Sequence, residues 1–175
     1  MDIVIERAKK EQSMEILTVN EAAWYQAYKD VFTEEELKEH FDYKFSDEGF
    51  AKFARYVEKC DNFYVAKNKD NGRIVGYIDF GMCHWDDEYK DCGAIHAIYV
   101  LPQLQKCGIG KKMMNFAFEY FKARGVKKVL LTTFQKNSIG LGFYKHNDFA
   151  IEKQLPKGSW HDNGIDETML AKELE

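Results

Sequence analysis

The sequence predicts an α+β fold, a single domain spanning residues 1–175, with a mixed, largely antiparallel sheet of about seven strands flanked by about four to five helices. Three observations predict it. In the N-terminal third, apolar residues recur at helical spacing. The period then switches to short apolar runs bounded by turn residues, as in an antiparallel meander. The remainder alternates strand, loop and helix signals, with no internal repeat, low-complexity segment or interdomain linker.

Taken in order, Ile3 to Ile5 reads as a short first strand. Met14, Leu17, Trp24, Ala27, Tyr28 and Val31 then follow a helical period, with Ser13 as a candidate cap. Thr33-Glu34-Glu35-Glu36 fits a capping box, in which the Thr and Glu side chains satisfy free backbone N–H groups ahead of a short helix. Phe50, Phe53, Ala54 and Val57 form the apolar stripe of another helix. Phe63 to Ala66 and Ile74 to Ile78 read as strands joined through Asp70-Asn71-Gly72, because Asn and Gly tolerate positive φ. Ala94 to Val100 is a third strand of this region.

A helix is expected from near Gly108 to Arg124, stopped by Gly125, with Ile109, Met113, Ala117 and Phe121 along one face. Val129-Leu130-Leu131 opens a continuously apolar strand, as expected of one buried on both faces. Asn137 to His146 reads as a short helix, weakened by Gly140 and Gly142. Phe149 to Ile151 and Thr168 to Leu170 are the last strands, separated by a loop, Leu155 to Gly164, that carries Trp160 and His161.

Composition narrows the function. With 45% hydrophobic and 31% charged residues the chain is an ordinary globular sequence rather than a disordered one. A net charge of -4 and the lack of a basic stripe argue against nucleic acid as a partner. Cys60, Cys83, Cys92 and Cys107 show no C-x-x-C spacing, so reduced thiols in a cytoplasmic protein are expected. No apolar run approaches the ~20 residues a membrane span needs, and the charged N-terminal alternation is unlike a signal peptide. The histidines and acids around His84-Trp85-Asp86-Asp87 lack metal-site spacing, so no metal is expected.

The most informative segment is Gln105-Lys106-Cys107-Gly108-Ile109-Gly110, placed between a strand and a helix. Glycine lets the backbone approach a ligand closely. A helix N-terminus offers unpaired N–H groups and partial positive charge. Together they form a cradle for a pyrophosphate, with Lys106, Lys111 and Lys112 adding charge. The loop lacks the Gly-Lys-Ser/Thr ending of a P-loop and the three-glycine dinucleotide fingerprint.

Ile98-Tyr99-Val100-Leu101-Pro102 followed by this loop resembles the acetyl-CoA signature of the GNAT superfamily, Q/R-x-x-G-x-G/A. Asn137 with Phe143-Tyr144-Lys145-His146 and Phe149 resembles its downstream motif, and the likeness extends over essentially the whole chain. It implies an N-acetyltransferase in which an amine attacks the thioester of acetyl-CoA directly. By that resemblance, the backbone of Ile98, Tyr99 and Val100 pairs with the pantetheine arm. Gln105, Lys106, Cys107, Gly108, Ile109, Gly110 and Lys111 hold the pyrophosphate, and Asn137 bonds the pantetheine side. Tyr144 is the expected acid for the departing thiolate, since a phenol with pKa near 10 is protonated at neutral pH. A backbone N–H at Ile98 or Tyr99 is the candidate oxyanion donor.

Departures from the family pattern matter as well. Many relatives carry a glutamate early in the signature strand; here that position is Ala94, which leaves His96 as the candidate base and His84 and Glu88 as weaker ones. Asn147-Asp148-Phe149 replaces Leu-Gly-Phe, with Asp able to keep left-handed geometry. Cys107 occupies a variable position and is expected to offer only its backbone.

The acceptor is expected to be a small-molecule amine. Trp24 and Tyr28, four apart on one helical face, are candidates for an aromatic wall that receives a cation. Acids at Asp86, Asp87, Glu88 and Asp91, and at Asp162, Asp166 and Glu167, suit a polyamine, and Trp24 to Leu37 is similar to members described as spermidine or spermine acetyltransferases. The alternatives are a protein N-terminal or lysine acetyltransferase and a non-catalytic acetyl-CoA-binding module. Exposed aromatics and the terminal strand are compatible with a homodimer.

Overall fold

The computed structural model describes residues 1–155 and 164–175. Trp160, His161 and Asp162 lie outside the described residues. The strands are β1 (Ile3–Arg7), β2 (Phe63–Asn68), β3 (Ile74–Met82), β4 (Gly93–Val100), β5 (Lys128–Phe134), β6 (Ala150–Leu155) and β7 (Glu167–Glu173). The helices are α1 (Ser13–Ala27), α2 (Glu34–Phe45), α3 (Asp47–Lys59), α4 (Ile109–Lys122) and α5 (Ser138–His146), with single 3-10 turns at Lys10–Gln12, Asp87–Tyr89 and Pro102–Leu104. The strands form one mixed sheet in the order β1-β2-β3-β4-β5-β7-β6. Its β1–β2, β2–β3, β5–β7 and β6–β7 pairs are antiparallel, and β4–β5 is parallel. The expected α+β fold is therefore present.

The described chain resolves into two compact units, Met1–Asp79 with Ala97–Met114, and Phe80–His96 with Asn115–Glu175. In the first, Ala8, Ile16, Val19, Val57, Phe63, Val65, Ile74 and Tyr77 form a core joined by Tyr99 and Leu101. The buried face of α1 is Ser13, Ile16, Leu17, Val19, Asn20 and Ala23, the spacing of one helical stripe. Met14, expected inside, is 49% exposed. Ser13 is not the cap either: α1 continues from a 3-10 turn, and the Ser13 hydroxyl donates to the Lys10 carbonyl at 2.7 Å. The Thr33–Glu36 capping box is present as read.

In the second unit, Ala94, Leu130, Leu155, Met169 and Ala171 build the core with Cys83 and Tyr89. β5 is buried along Val129, Leu130 and Leu131, because β7 pairs with all of it from Lys128 to Phe134. Gly93 lets β4 lie close to α4: a Cβ there would meet the Phe121 ring at 2.7 Å. Gly125 ends α4 at φ 74, as expected of a left-handed stop.

Candidate active site

The loop after β4 is held by its own backbone. The Leu101 N–H donates to Val75 O at 2.9 Å and the Leu104 N–H to Leu101 O at 2.9 Å. The Gln105 side-chain amide donates to Val100 O at 3.4 Å, so Gln105 braces the loop. Lys106 at φ 61 and Gly108 at φ 80 then turn the chain through left-handed geometry twice in three residues. Lys106 adopts that region against the preference of an L side chain, which marks the turn as constrained. The first outward helical bond of α4 is Lys112 N–H to Gly108 O, at 2.9 Å.

Among the described residues, the backbone N–H groups of Lys106 and of Gly108 to Lys111 accordingly have no backbone acceptor, while Cys107 closes the turn through Gln105 and Lys106. Free donors gathered at a helix start form a partial positive pole. Nothing lies within 4 Å of where a Gly108 Cβ would stand, so the turn is open on that side. Lys106, Cys107 and Lys111 are exposed, while Ile109 is buried and anchors the helix start. Lys112 does not join them. Its ammonium donates to the Ile3 carbonyl and lies near Asp2.

β4 pairs with β5 at Gly93 and Ala94 alone. The register with β5 ends at Ala94, and β4 continues beyond it, with Ala97 to Val100 as its last four residues. Ile98, Tyr99 and Val100 are half-buried there. Tyr99 turns its side chain into the first unit, its hydroxyl 3.1 Å from the Tyr28 hydroxyl and its ring 5.5 Å from Tyr77. That leaves the Tyr99 backbone, not its phenol, for a ligand at this end of β4.

Asn137 is buried and caps α5. Its Oδ1 accepts the Gly140 N–H at 2.9 Å, and its Nδ2 donates to Thr133 Oγ1 at 2.9 Å. A Cβ on Gly140 would stand 2.4 Å from Asn137 Nδ2, so this glycine, which read as a weakness in the helix, is what admits the cap. Asn137 thus fixes the helix that carries Tyr144, and one amide hydrogen remains for any other bond. Tyr144 lies with its ring 5.6 Å from Phe143 and 6.1 Å from Phe149. The turn after α5 keeps Asp148 at φ 64, the left-handed geometry expected of it.

His84 and His96 come together in the second unit, with ring centroids 5.2 Å apart and Trp85 5.6 Å from His96. His84 is exposed and its Nδ1 lies 3.4 Å from the Met82 carbonyl. Asp86 accepts from the Glu88 N–H at 2.9 Å and caps the turn that follows, which gives part of the acidic stretch a local structural task.

Trp24 and Tyr28 pack edge to face on α1 and the residue after it, with ring centroids 4.7 Å apart, and Tyr28 is buried. This cluster holds two residues that the sequence reading passed over, both from α2. His40 stacks on Trp24 at 4.6 Å, and the Lys44 ammonium lies 5.3 Å from the Trp24 ring centre and 5.5 Å from that of Phe41. Lys44 also donates to Asn20 Oδ1 at 3.0 Å, and Asn20 Nδ2 donates to the Tyr77 hydroxyl at 2.7 Å. Burial lowers the Lys44 pKa to about 8. Burial, then the Lys44 charge, lowers that of His40 to about 4. The available signal was the four-residue spacing of His40 and Lys44 around Phe41, which reads equally well as a solvated helix face.

A family model described as the acetyltransferase (GNAT) family matches residues 21–149. The chain belongs to the GNAT family. An uncharacterized N-acetyltransferase of Methanocaldococcus jannaschii is 36% identical over 115 residues, covering 61% of this GNAT chain and 49% of that protein, so the match spans about half of that relative. A spermidine N(1)-acetyltransferase of Thermoplasma acidophilum is 23% identical over 153 residues, 87% of this chain and 91% of the relative. Among solved structures, the PaiA N-acetyltransferase of Thermoplasma acidophilum, in complex with coenzyme A, superposes with a TM-score of 0.77 at 22% identity, covering 99% of each chain. At that identity the likeness establishes the GNAT fold. No described helix is long and apolar enough to cross a membrane.

Proposed function

We propose that this GNAT protein transfers the acetyl group of acetyl-CoA to a primary amine of a small molecule. The observation that carries the reading is the set of acceptor-free N–H groups at Lys106 and from Gly108 to Lys111 around the left-handed turn at Gly108. That donor set suits a pyrophosphate, as does the open space beside Gly108. The end of β4 from Ala97 to Val100, beyond its register with β5, suits an extended amide-bearing arm, which pairs as an added strand would. Family membership supplies the rest of the argument.

Acetyl-CoA supplies the activated acyl group. The protein's share is to hold it, to donate a hydrogen bond from the β4 backbone at Ile98 or Tyr99 to the carbonyl oxygen as it gains charge, and to accept the proton the amine releases. Tyr144 is the donor to the leaving sulfur, and Asn137 positions it by capping α5. His96, beside His84, is the candidate base. Steady-state CoA release over an amine panel tests this. Tyr144→Phe should keep cofactor binding and lose most of kcat; an unchanged kcat across pH removes Tyr144 from the chemistry.

The likeness to a spermidine acetyltransferase and the acids Asp86, Asp87 and Glu88 support a polyamine acceptor. The Lys44 ammonium on the aromatic wall argues the other way, because it already occupies the faces a cationic acceptor would use.

A further inference from the structure

We propose that Lys44, on α2, is the recognition site for a carboxylate, and that the acceptor amine carries that carboxylate. The acceptor identity rests on the amine-acetylation reading above; the anion site itself stands on the geometry around Lys44.

Lys44 is a half-buried cation without a counter-ion among the described residues. Two acids near it in sequence are engaged elsewhere: Asp42 pairs with Lys38 at 2.5 Å and Glu48 with Lys52 at 2.7 Å. Among the described residues no carboxylate pairs with Lys44, and the Asn20 carbonyl is its hydrogen-bond acceptor. An ammonium has three hydrogens to donate, so two are left over. Buried charges are ordinarily paired, because desolvation without a partner is costly.

The surroundings hold the cation in place rather than neutralise it. Asn20 is buried, and its amide orientation is fixed by the bond from Nδ2 to the Tyr77 hydroxyl. Trp24 and Phe41 present their rings to the ammonium. One further polar atom on the same wall is buried without a hydrogen-bond partner, His40 Nε2. The Trp24 indole N–H is directed at the Tyr99 phenol oxygen. Burial and the Lys44 charge keep His40 neutral, so the wall carries one positive charge and unmet hydrogen-bonding capacity.

A carboxylate answers both deficits. It brings one negative charge and two oxygens that accept several hydrogen bonds. A polyamine brings a second cation beside an ammonium that has already taken the aromatic faces. The acceptor class that fits is an amino-carboxylate, with its amine left for acetylation and its carboxylate on Lys44.

The test has one arm that needs no turnover. The lysine side chains are carbon-labelled, Lys44 is assigned by its loss in Lys44→Met, and its titration midpoint is followed by NMR with 3-phenylpropionate and with 3-phenylpropylamine. The carboxylate should raise the midpoint by about one unit or more, and the amine should not. A midpoint unmoved by 3-phenylpropionate, or moved equally in the presence of either compound, overturns the site. The second arm compares CoA release with L-phenylalanine, 2-phenylethylamine and spermidine. The amino acid should exceed its decarboxylated partner about tenfold or more in kcat/KM, and Lys44→Met should erase that preference. Equal rates with and without the carboxylate, or a preference that survives Lys44→Met, overturn the acceptor assignment. Absence of CoA release from every amine counts against acetyl transfer itself, and the NMR arm still decides the anion site.

Discussion

Replacing Gly140 with Ala should destabilise the protein, although the same change in an ordinary helix interior stabilises by about 1 kcal/mol. The reason is local. An added Cβ would stand 2.4 Å from Asn137 Nδ2 and 2.9 Å from its Cγ, so the side chain that caps α5 must leave. Its departure breaks the bond to the Gly140 N–H and the bond to Thr133 Oγ1. Losing an N-cap costs about 1 kcal/mol, and leaving a buried polar partner unsatisfied costs about 1–3 kcal/mol more. Set against the propensity gain, the net loss is about 1–3 kcal/mol. Urea unfolding of four proteins measures it: the parent, Gly140→Ala, Asn137→Ala and the double variant. In the Asn137→Ala background the crowding is gone, so Gly140→Ala should now stabilise by about 1 kcal/mol. That reversal of sign is the signature. If Gly140→Ala stabilises the parent, the cap is not crowded and the account of this glycine is wrong.

Four other outcomes are expected. The Lys44 pKa, about 8 in the folded protein against 10.5 for the ordinary side chain, means that the unfolded chain binds the extra proton between those values; stability should therefore rise with pH from about 8 toward 10, and Lys44→Met should abolish the rise in chemical denaturation. His40, lowered from 6.5 to about 4, acts in the same sense at acid pH: the folded state refuses a proton that the unfolded chain accepts, so stability should fall as pH drops from 6.5 to 4, and less in His40→Phe. Tyr56→Phe removes the hydroxyl that donates to Asp79, a buried carboxylate otherwise bonded by the Cys60 thiol, and should cost about 1.5–3 kcal/mol in urea unfolding. Gly93→Ala drives a methyl into the Phe121 ring and should cost about 1–3 kcal/mol by overpacking, read as a lower Tm.

Much of the fold was legible because its signals are local. The Thr33–Glu36 box, the Gly72 turn and the Gly125 stop each follow from residues a few positions apart, and each is present. What escaped was set by packing. Ser13 read as a cap, but the 3-10 turn at Lys10–Gln12 precedes α1 and takes the hydroxyl for its own carbonyl. Met14 read as core, yet the buried stripe runs through Ser13, Ile16, Leu17 and Asn20. The insertion of β7 between β5 and β6 is a non-local pairing that no periodicity encodes. In the site, the Gly108 loop was legible from glycine spacing and from a helix start. The roles of Gly140 and Lys44 were not. A glycine's need for space and a lysine's lack of a counter-ion are properties of neighbours that the chain brings in from elsewhere.

The central claim is that the turn from Lys106 to Lys111 with the end of β4 holds acetyl-CoA. Native mass spectrometry of the purified protein mixed with acetyl-CoA tests it most directly. The account predicts a mass increment of a single acetyl-CoA per chain, lost in a Gly108→Val variant that stays folded by circular dichroism, because a β-branched side chain strains the left-handed turn and fills the space beside the donors. A parent protein that shows no increment at saturating acetyl-CoA, or a folded Gly108→Val that binds it equally well, would contradict the account.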